Sequence, residues 1–388
     1  MKSFVLLTNS VSPHQLPLSE ILSRKFGKES FTYIYTKQIN AMRKKMGWNK
    51  ITQNDINIRC SSSDCYETRN AGILLSGCLD AELFKYRLDN KKSTYYMSER
   101  WYKPKLGMIR LLFPKYMCQA KNIIKLFEYE SFTYLPISVH SAIDMLRLYF
   151  LFQGKISYLF KRPIVAFESR PGGSIFPFEQ VESVLDEQSI KFALRYGFVQ
   201  IPECHWGKFQ PYGIFKKMKL WGYYVQNSKN ESICIDREKD SVLWVGRMDS
   251  LKNLPTLIKV CIKQKKKLDI YGHGKDEEIA RKIAEGSSYI HFHDYVPIEE
   301  VRYLMRSHDI YVLCSNGYEG WGAVVSEALC EGMKVIGTVD AGSSSTILPI
   351  NQLYMTNDLK SLDDLLNKNI PNIGIGHWTA EDAAQIFE

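Results

Sequence analysis

Residues 315–327 read SNGYEGWGAVVSE. Two carboxylates, Glu319 and Glu327, stand eight positions apart, and Gly320 and Gly322 flank Trp321 between them. The stretch follows the apolar run 309–314, and charge at the end of a buried strand costs free energy unless something partners it. Two glycines let the backbone approach a ligand closely, and amides opening a following helix face outward at the positive end of its dipole. Glu327 lies one turn inside that expected helix. A carboxylate accepting two hydroxyl hydrogen bonds is a common way to hold a ribose diol. Glu319, on the loop, stands where it can point at a second polyol. The pattern asks for a ligand with hydroxyls at both ends and negative charge between. A nucleotide sugar has that form.

A second group lies upstream. Gly246 and Arg247 follow an apolar run at 241–246, and Lys252 comes five residues after Arg247. The glycine permits a tight turn, and two cations near a helix start can grip a diphosphate. Solvated loop cations are the plainer alternative. The segment YGHGK (271–275) contains G-x-G without a third glycine, so it supports no dinucleotide fingerprint, and a tight turn explains it equally well. His291 and His293 are two apart on one strand face, but no third ligand follows at suitable spacing, and no metal site is expected.

These residues need elements to hold them. The second half alternates regularly: strand 241–246, helix 254–264, strand 267–272, a charged helix 275–285, strand 289–293, helix 297–307, strand 309–314, helix 323–332 and strand 334–338. Such alternation builds a parallel sheet covered on both faces, with ligands beyond the carboxyl ends of the strands. The first half offers strands at 3–9, 31–36 and 71–77 and helices at 16–26 and 141–152. Residues 160–210 are irregular, and 219–232 drift from apolar to polar as an interdomain linker would.

At 388 residues the chain exceeds one ordinary core, so two domains are expected. The composition, 45% hydrophobic and 24% charged, is that of a globular protein and excludes a disordered one. No stretch approaches the roughly 18 apolar residues of a membrane span. Nine cysteines without a C-x-x-C pair and without a secretory signal read as reduced thiols in a cytoplasm. The charge of +9 is uneven. Residues 1–222 hold 33 Lys+Arg against 18 Asp+Glu, and the remainder holds 18 against 24. The densest part is 85–125, with eleven basic residues opposed only by Asp89 and Glu99. An anionic partner is expected there, although a solvated face with no partner also fits.

The second half resembles the retaining family-4 glycosyltransferases of the GT-B fold, a class that includes many enzymes of capsule, lipopolysaccharide and exopolysaccharide synthesis. The resemblance runs through LWVGRMDSLKNLPTLIKV, LDIYGHGKDEEI, the long stretch from IHFHDY to KVIGT, and GHWTAEDAAQIFE. It implies an α/β chain of two Rossmann-like domains facing a central cleft: 1–222 for the acceptor and 223–388 for the donor, with the final helix near 378–388 crossing back. It implies that Glu319, Arg247 and Lys252 are catalytic, with the two cations neutralising the departing diphosphate. Gly246, Gly272, Gly320, Trp321, Gly322, Ala323 and Glu327 fall on the donor side. Glu327 would hold the ribose and Glu319 the transferred sugar. No D-x-D motif is present, and neither metal nor cofactor is expected; the nucleotide sugar is a substrate.

The chain departs from the family pattern twice. Lys252-Asn253 stands where Lys-Gly is usual, and NSVSPHQLP (9–17) replaces a glycine-rich loop. That loop should still face the cleft, which makes Ser12, His14 and Gln15 acceptor-side candidates. Glu99 and Arg100, in YMSERWYK, are further candidates, with a buried structural ion pair as the alternative. The expected acceptor is a glycan or a polyprenyl-diphosphate-linked sugar, with peripheral contact to an anionic membrane at its cytoplasmic face. Competing readings are an epimerase or phosphorylase on the same fold, a nucleic-acid-binding protein and a scaffold. Residues 85–125 show no base-stacking platform, which argues against nucleic acid.

Overall fold

The computed structural model describes residues 2–39, 56–101, 107–152, 217–225 and 236–388, with the backbone of three short strands between 165 and 200. The chain divides into two compact units, Met1–Gln226 with Ala380–Glu388, and Asn227–Thr379.

The first unit is built on a parallel sheet of six strands: β1 (Phe4–Thr8), β2 (Phe31–Tyr35), β3 (Ile58–Cys60), β4 (Ile73–Ser76), β5 (Ser93–Ser98) and β6 (Phe132–Pro136), ordered β3-β2-β1-β4-β5-β6. β1 and β4 are buried along their whole length, as parallel strands covered on both faces must be. Helix Leu16–Phe26 opens with a proline in its first turn and stops at Gly27, whose φ of 87° ends the helical path. Arg87, fully buried on helix Ala81–Asp89, donates to the carbonyls of Thr68, Ala71 and Ser93 and to Thr94 Oγ1. Burial pushes its guanidinium down to about 10.

Residues 217–225 belong to this unit, including 219–225, the start of the stretch 219–232 expected above to be a linker. Their backbone runs beside β6, with Lys219 N donating to Tyr134 O and Trp221 N to Pro136 O. The last residues close the same core: the Phe387 ring packs against Phe4, Tyr95 and Trp221 at 5.1, 4.9 and 5.9 Å. Three short strands, β7 (Val165–Phe167), β8 (Ile175–Pro177) and β9 (Val199–Gln200), form a separate small sheet. The rest of 160–210 lies outside the described residues.

The second unit repeats the plan with β10 (Glu238–Val245), β11 (Leu268–Tyr271), β12 (Ile290–His293), β13 (His308–Leu313), β14 (Lys334–Thr338) and β15 (Leu353–Tyr354). Their order is β12-β11-β10-β13-β14-β15, all parallel. Every strand and helix expected between 241 and 338 is present, including Leu254–Gln264, Glu277–Ala284, Ile298–Ser307 and Val324–Cys330. Val242, Trp244, Ile270, Ile310 and Val312 supply the centre of the core.

One charge cluster sits inside this sheet. Asp269 is buried, accepts from His293 Nε2 at 2.6 Å and His308 Nε2 at 3.2 Å, and has Lys267 Nζ at 3.3 Å. Burial pushes its carboxyl up, but the two histidine hydrogen bonds and the lysine charge outweigh burial and hold it well below the ordinary carboxylate range. A carboxyl depressed in the folded state adds stability above its ordinary pKa of 3.8, and that stability is lost as pH falls toward the folded value. Asp269→Asn should therefore lower stability at neutral pH and flatten the decline below 3.8, as urea unfolding at a series of pH values would measure.

No helix among the described residues is long and apolar enough to cross a membrane.

Candidate functional site

In both sheets the strand order reverses beside the first strand, and a crevice opens at the carboxyl ends where neighbouring crossovers diverge. In the second unit that point lies between β10 and β13. The loop leaving β10 and the loop leaving β11 interlock through Gly246 N to Tyr271 O, Met248 N to His273 O and Asp276 N to Met248 O. Gly272 has φ of 127°, and a Cβ on it would stand 2.1 Å from Gly246 O. Gly272 thus serves the packing of the two loops that carry Gly246 and Arg247.

The loop leaving β13 completes the crevice. Asn316 N donates to Leu251 O, and Asn316 Nδ2 to Ser250 O, which stitches this loop to the one from β10. Lys252 Nζ lies 2.5 Å from Glu319 Oε2, and the same oxygen accepts from Ser315 Oγ at 2.9 Å. Thr338 Oγ1 at the end of β14 holds the Ser315 carbonyl at 2.6 Å. Arg247 is the more exposed cation and pairs with Asp249 at 3.4 Å.

Downstream, Gly322 adopts φ of 89° while its carbonyl accepts from Ser343 Oγ at 2.8 Å. The Trp321 side chain is buried, its ring 5.9 Å from that of Trp378, so it is a packing element and leaves only backbone to a ligand. Gly320 and Ala323 are partly accessible on either side, and Glu327 is half-buried in the first turn of Val324–Cys330. Burial drives the Tyr311 hydroxyl well above its ordinary value, and the charges of Glu319 and Glu327 both add to this. Both carboxylates thus lie within electrostatic reach of one buried hydroxyl.

The first unit carries its own cavity at the corresponding reversal, between β1 and β4. Its volume is about 480 Å³, and its walls include Ser12, His14, Gln15 and Glu99 together with Asn9 and Tyr223. Glu99 accepts from Tyr223 Oη at 2.8 Å, and Ser12 Oγ accepts from His14 N at the start of the turn Pro13–Gln15. Arg100 does not line this cavity. It faces the buried Asp144 at 3.6 Å, so for Arg100 the structural ion pair offered as the alternative is the arrangement present, while Glu99 lines the cavity. Tyr223 was missed because nothing in sequence ties it to Glu99, 124 positions away. Ser315 and Thr338 were missed because a serine or threonine near a strand end carries no distinctive signal. Among the described residues no group of three His, Cys, Asp or Glu could hold a metal ion.

Residues 239–365 match the glycosyl transferases group 1 family. The fold is GT-B. HepE from Anabaena in complex with UDP superposes with a TM-score of 0.57 at 11% identity, covering 99% of this chain and 94% of that one. HepE in complex with UDP-glucose gives 0.51 at 10% identity, with 99% and 94% covered. The catalytic domain of cholesterol-alpha-glucosyltransferase from Helicobacter pylori is 24% identical over 32% of this chain and 82% of that one, with a TM-score of 0.29. A search of curated proteins finds no match. The two crevices described above are thus the switch points of two GT-B halves.

Two outcomes test the geometry. Gly272→Ala should cost about 3 kcal/mol or more, since it meets a carbonyl and strains a positive φ. A double-mutant cycle of Lys252→Ala and Glu319→Ala should give a coupling of about 1–2 kcal/mol, because the pair is mostly buried. Denaturant unfolding reads both.

Proposed function

We propose that the chain is a retaining glycosyltransferase that moves a sugar from a nucleotide-sugar donor to a glycan or lipid-linked acceptor. The observation that carries this reading is the Lys252–Glu319 pair at the switch point of the second sheet, inside the segment that matches the family. Breaking the bond between a sugar and a nucleoside diphosphate leaves negative charge on the diphosphate. Fixed cations aimed at that charge stabilise the transition state more than the ground state. Arg247 and Lys252 fill this role in the proposed reaction, which then needs no metal ion.

Glu327 takes the ribose hydroxyls, and the backbone of Gly320, Gly322 and Ala323 meets sugar or phosphate oxygens. Without donor, the charge of Lys252 is spent on Glu319. A diphosphate competes for the ammonium, and its arrival releases the Glu319 carboxylate toward the transferred sugar, with Ser315 still holding one oxygen. The cavity of the first unit takes the acceptor among Ser12, His14, Gln15 and Glu99. We assign the activity to capsule, lipopolysaccharide or exopolysaccharide synthesis in the cytoplasm, on the strength of the sequence resemblance.

A thermal-shift panel of UDP-, GDP-, ADP- and CMP-sugars tests the donor site. One base class should raise the Tm of the wild type by about 2–4 °C at saturating donor. Glu327→Ala should lose that shift while melting normally without ligand. A flat response to all four classes, or an undiminished shift in the variant, would remove the donor-site assignment.

A further inference from the structure

Between Glu99 and Glu128 the chain has seven basic residues and no acidic one. The part of this segment from Gly107 to Leu126 is a short 3-10 turn, Gly107–Leu112, running into helix Pro114–Leu126. The chain is extended at Phe113, which caps the helix, and the hydrogen bonds from Phe113 N to Arg110 O and from Met117 N to Phe113 O hold the turn against the first turn of the helix. Ala120, Ile123 and Leu126 face the core, and Lys217 Nζ ties down the far end by donating to Phe127 O and Tyr129 O. The helix is a fixed platform.

Its outer face is unusual. Ile109, Leu112, Phe113 and Tyr116 recur in sequence at i, i+3, i+4, i+7, which in one continuous helix would form an inward-packing stripe. Here they are divided between the 3-10 turn, its extended end at Phe113 and the first turn of the helix. The four side chains are 60%, 80%, 52% and 36% exposed. The Phe113 and Tyr116 rings meet at 6.4 Å, and the Arg110 guanidinium lies over the Tyr116 ring at 5.5 Å. Exposed Lys115, Lys121 and Lys125 continue along the helix. An apolar tip ringed by cations suits a surface with an oily interior and an anionic skin.

We propose that Ile109, Leu112, Phe113 and Tyr116 insert into an anionic lipid surface while Arg110, Lys115, Lys121 and Lys125 contact its headgroups. Charge decides among occupants. A second copy docked through a two-fold axis would set identical cations against one another with no acid on either side. Isoleucine and leucine at the tip offer no stacking face for bases. The face belongs to the first unit, and the proposal does not rest on any role for Glu319 or Glu327.

Co-sedimentation of the full chain with vesicles tests this. Vesicles of phosphatidylcholine with phosphatidylglycerol should bind it, pure phosphatidylcholine should bind it at least about tenfold less, and added salt should weaken binding. Leu112→Ser with Phe113→Ser should weaken binding about tenfold or more, with unchanged thermal unfolding. Lys115→Glu with Lys121→Glu and Lys125→Glu, which leaves every buried residue in place, should abolish the preference for the anionic vesicles. Equal binding by wild type and both variants, or no binding to anionic vesicles, overturns the proposal. So does a dimer in sedimentation velocity that the serine variant dissolves, since it would give the face to a second copy.

Discussion

Both crevices of this protein depend on one constraint of parallel sheets. A strand joined to a parallel neighbour by a right-handed crossover places its helix on one face, and building outward in both directions from a central strand places helices on both faces. At the strand where the direction changes, no crossover covers the carboxyl ends. Each unit meets this condition once, between β1 and β4 and between β10 and β13. The cavity around Ser12 and the Lys252–Glu319 pair occupy these two positions because the topology leaves them uncovered.

Electrostatics then distinguishes the two crevices. The second holds both charges of an ion pair at partial burial, where water screens poorly and each partner is costly to leave alone. That arrangement is self-consistent without a ligand and still open to exchange, because an incoming anion replaces one carboxylate with another acceptor. The described walls of the first crevice carry hydroxyls, amides, one imidazole and one carboxylate, and among the described residues no lysine or arginine lines it. That described lining is uncharged apart from Glu99 and His14, although it belongs to the unit with the larger positive charge.

How much of this could be read from sequence differs between the halves. Over 241–338 apolar runs and helical spacing alternate cleanly, so each element and the loops bearing Arg247, Lys252, Glu319 and Glu327 were legible. The glycines were legible as special but not in role: only coordinates show that Gly272 makes room for the Gly246 carbonyl. Trp321 suggested a ligand contact by its neighbours, yet a large aromatic between glycines is equally a wedge into the core, and Trp378 gives it a partner. In the first half, β3 is only three residues long and β5 is rich in serine and tyrosine, which weakens any periodic signal. Residues 219–225 read as the apolar start of a linker because their partner, β6, lies some eighty positions earlier, beyond the reach of a local pattern.

The return of residues 380–388 to the first unit has a consequence for how the chain is made. Phe387 fills a space among Phe4, Tyr95 and Trp221, and Lys25 is held by Ala384 O and Glu388. A ribosome delivers Phe387 only after residues 227–379, so the first unit waits, with an open aromatic socket, through the synthesis of the whole second unit. The second unit, made from one continuous stretch, can finish its core while the first is still incomplete.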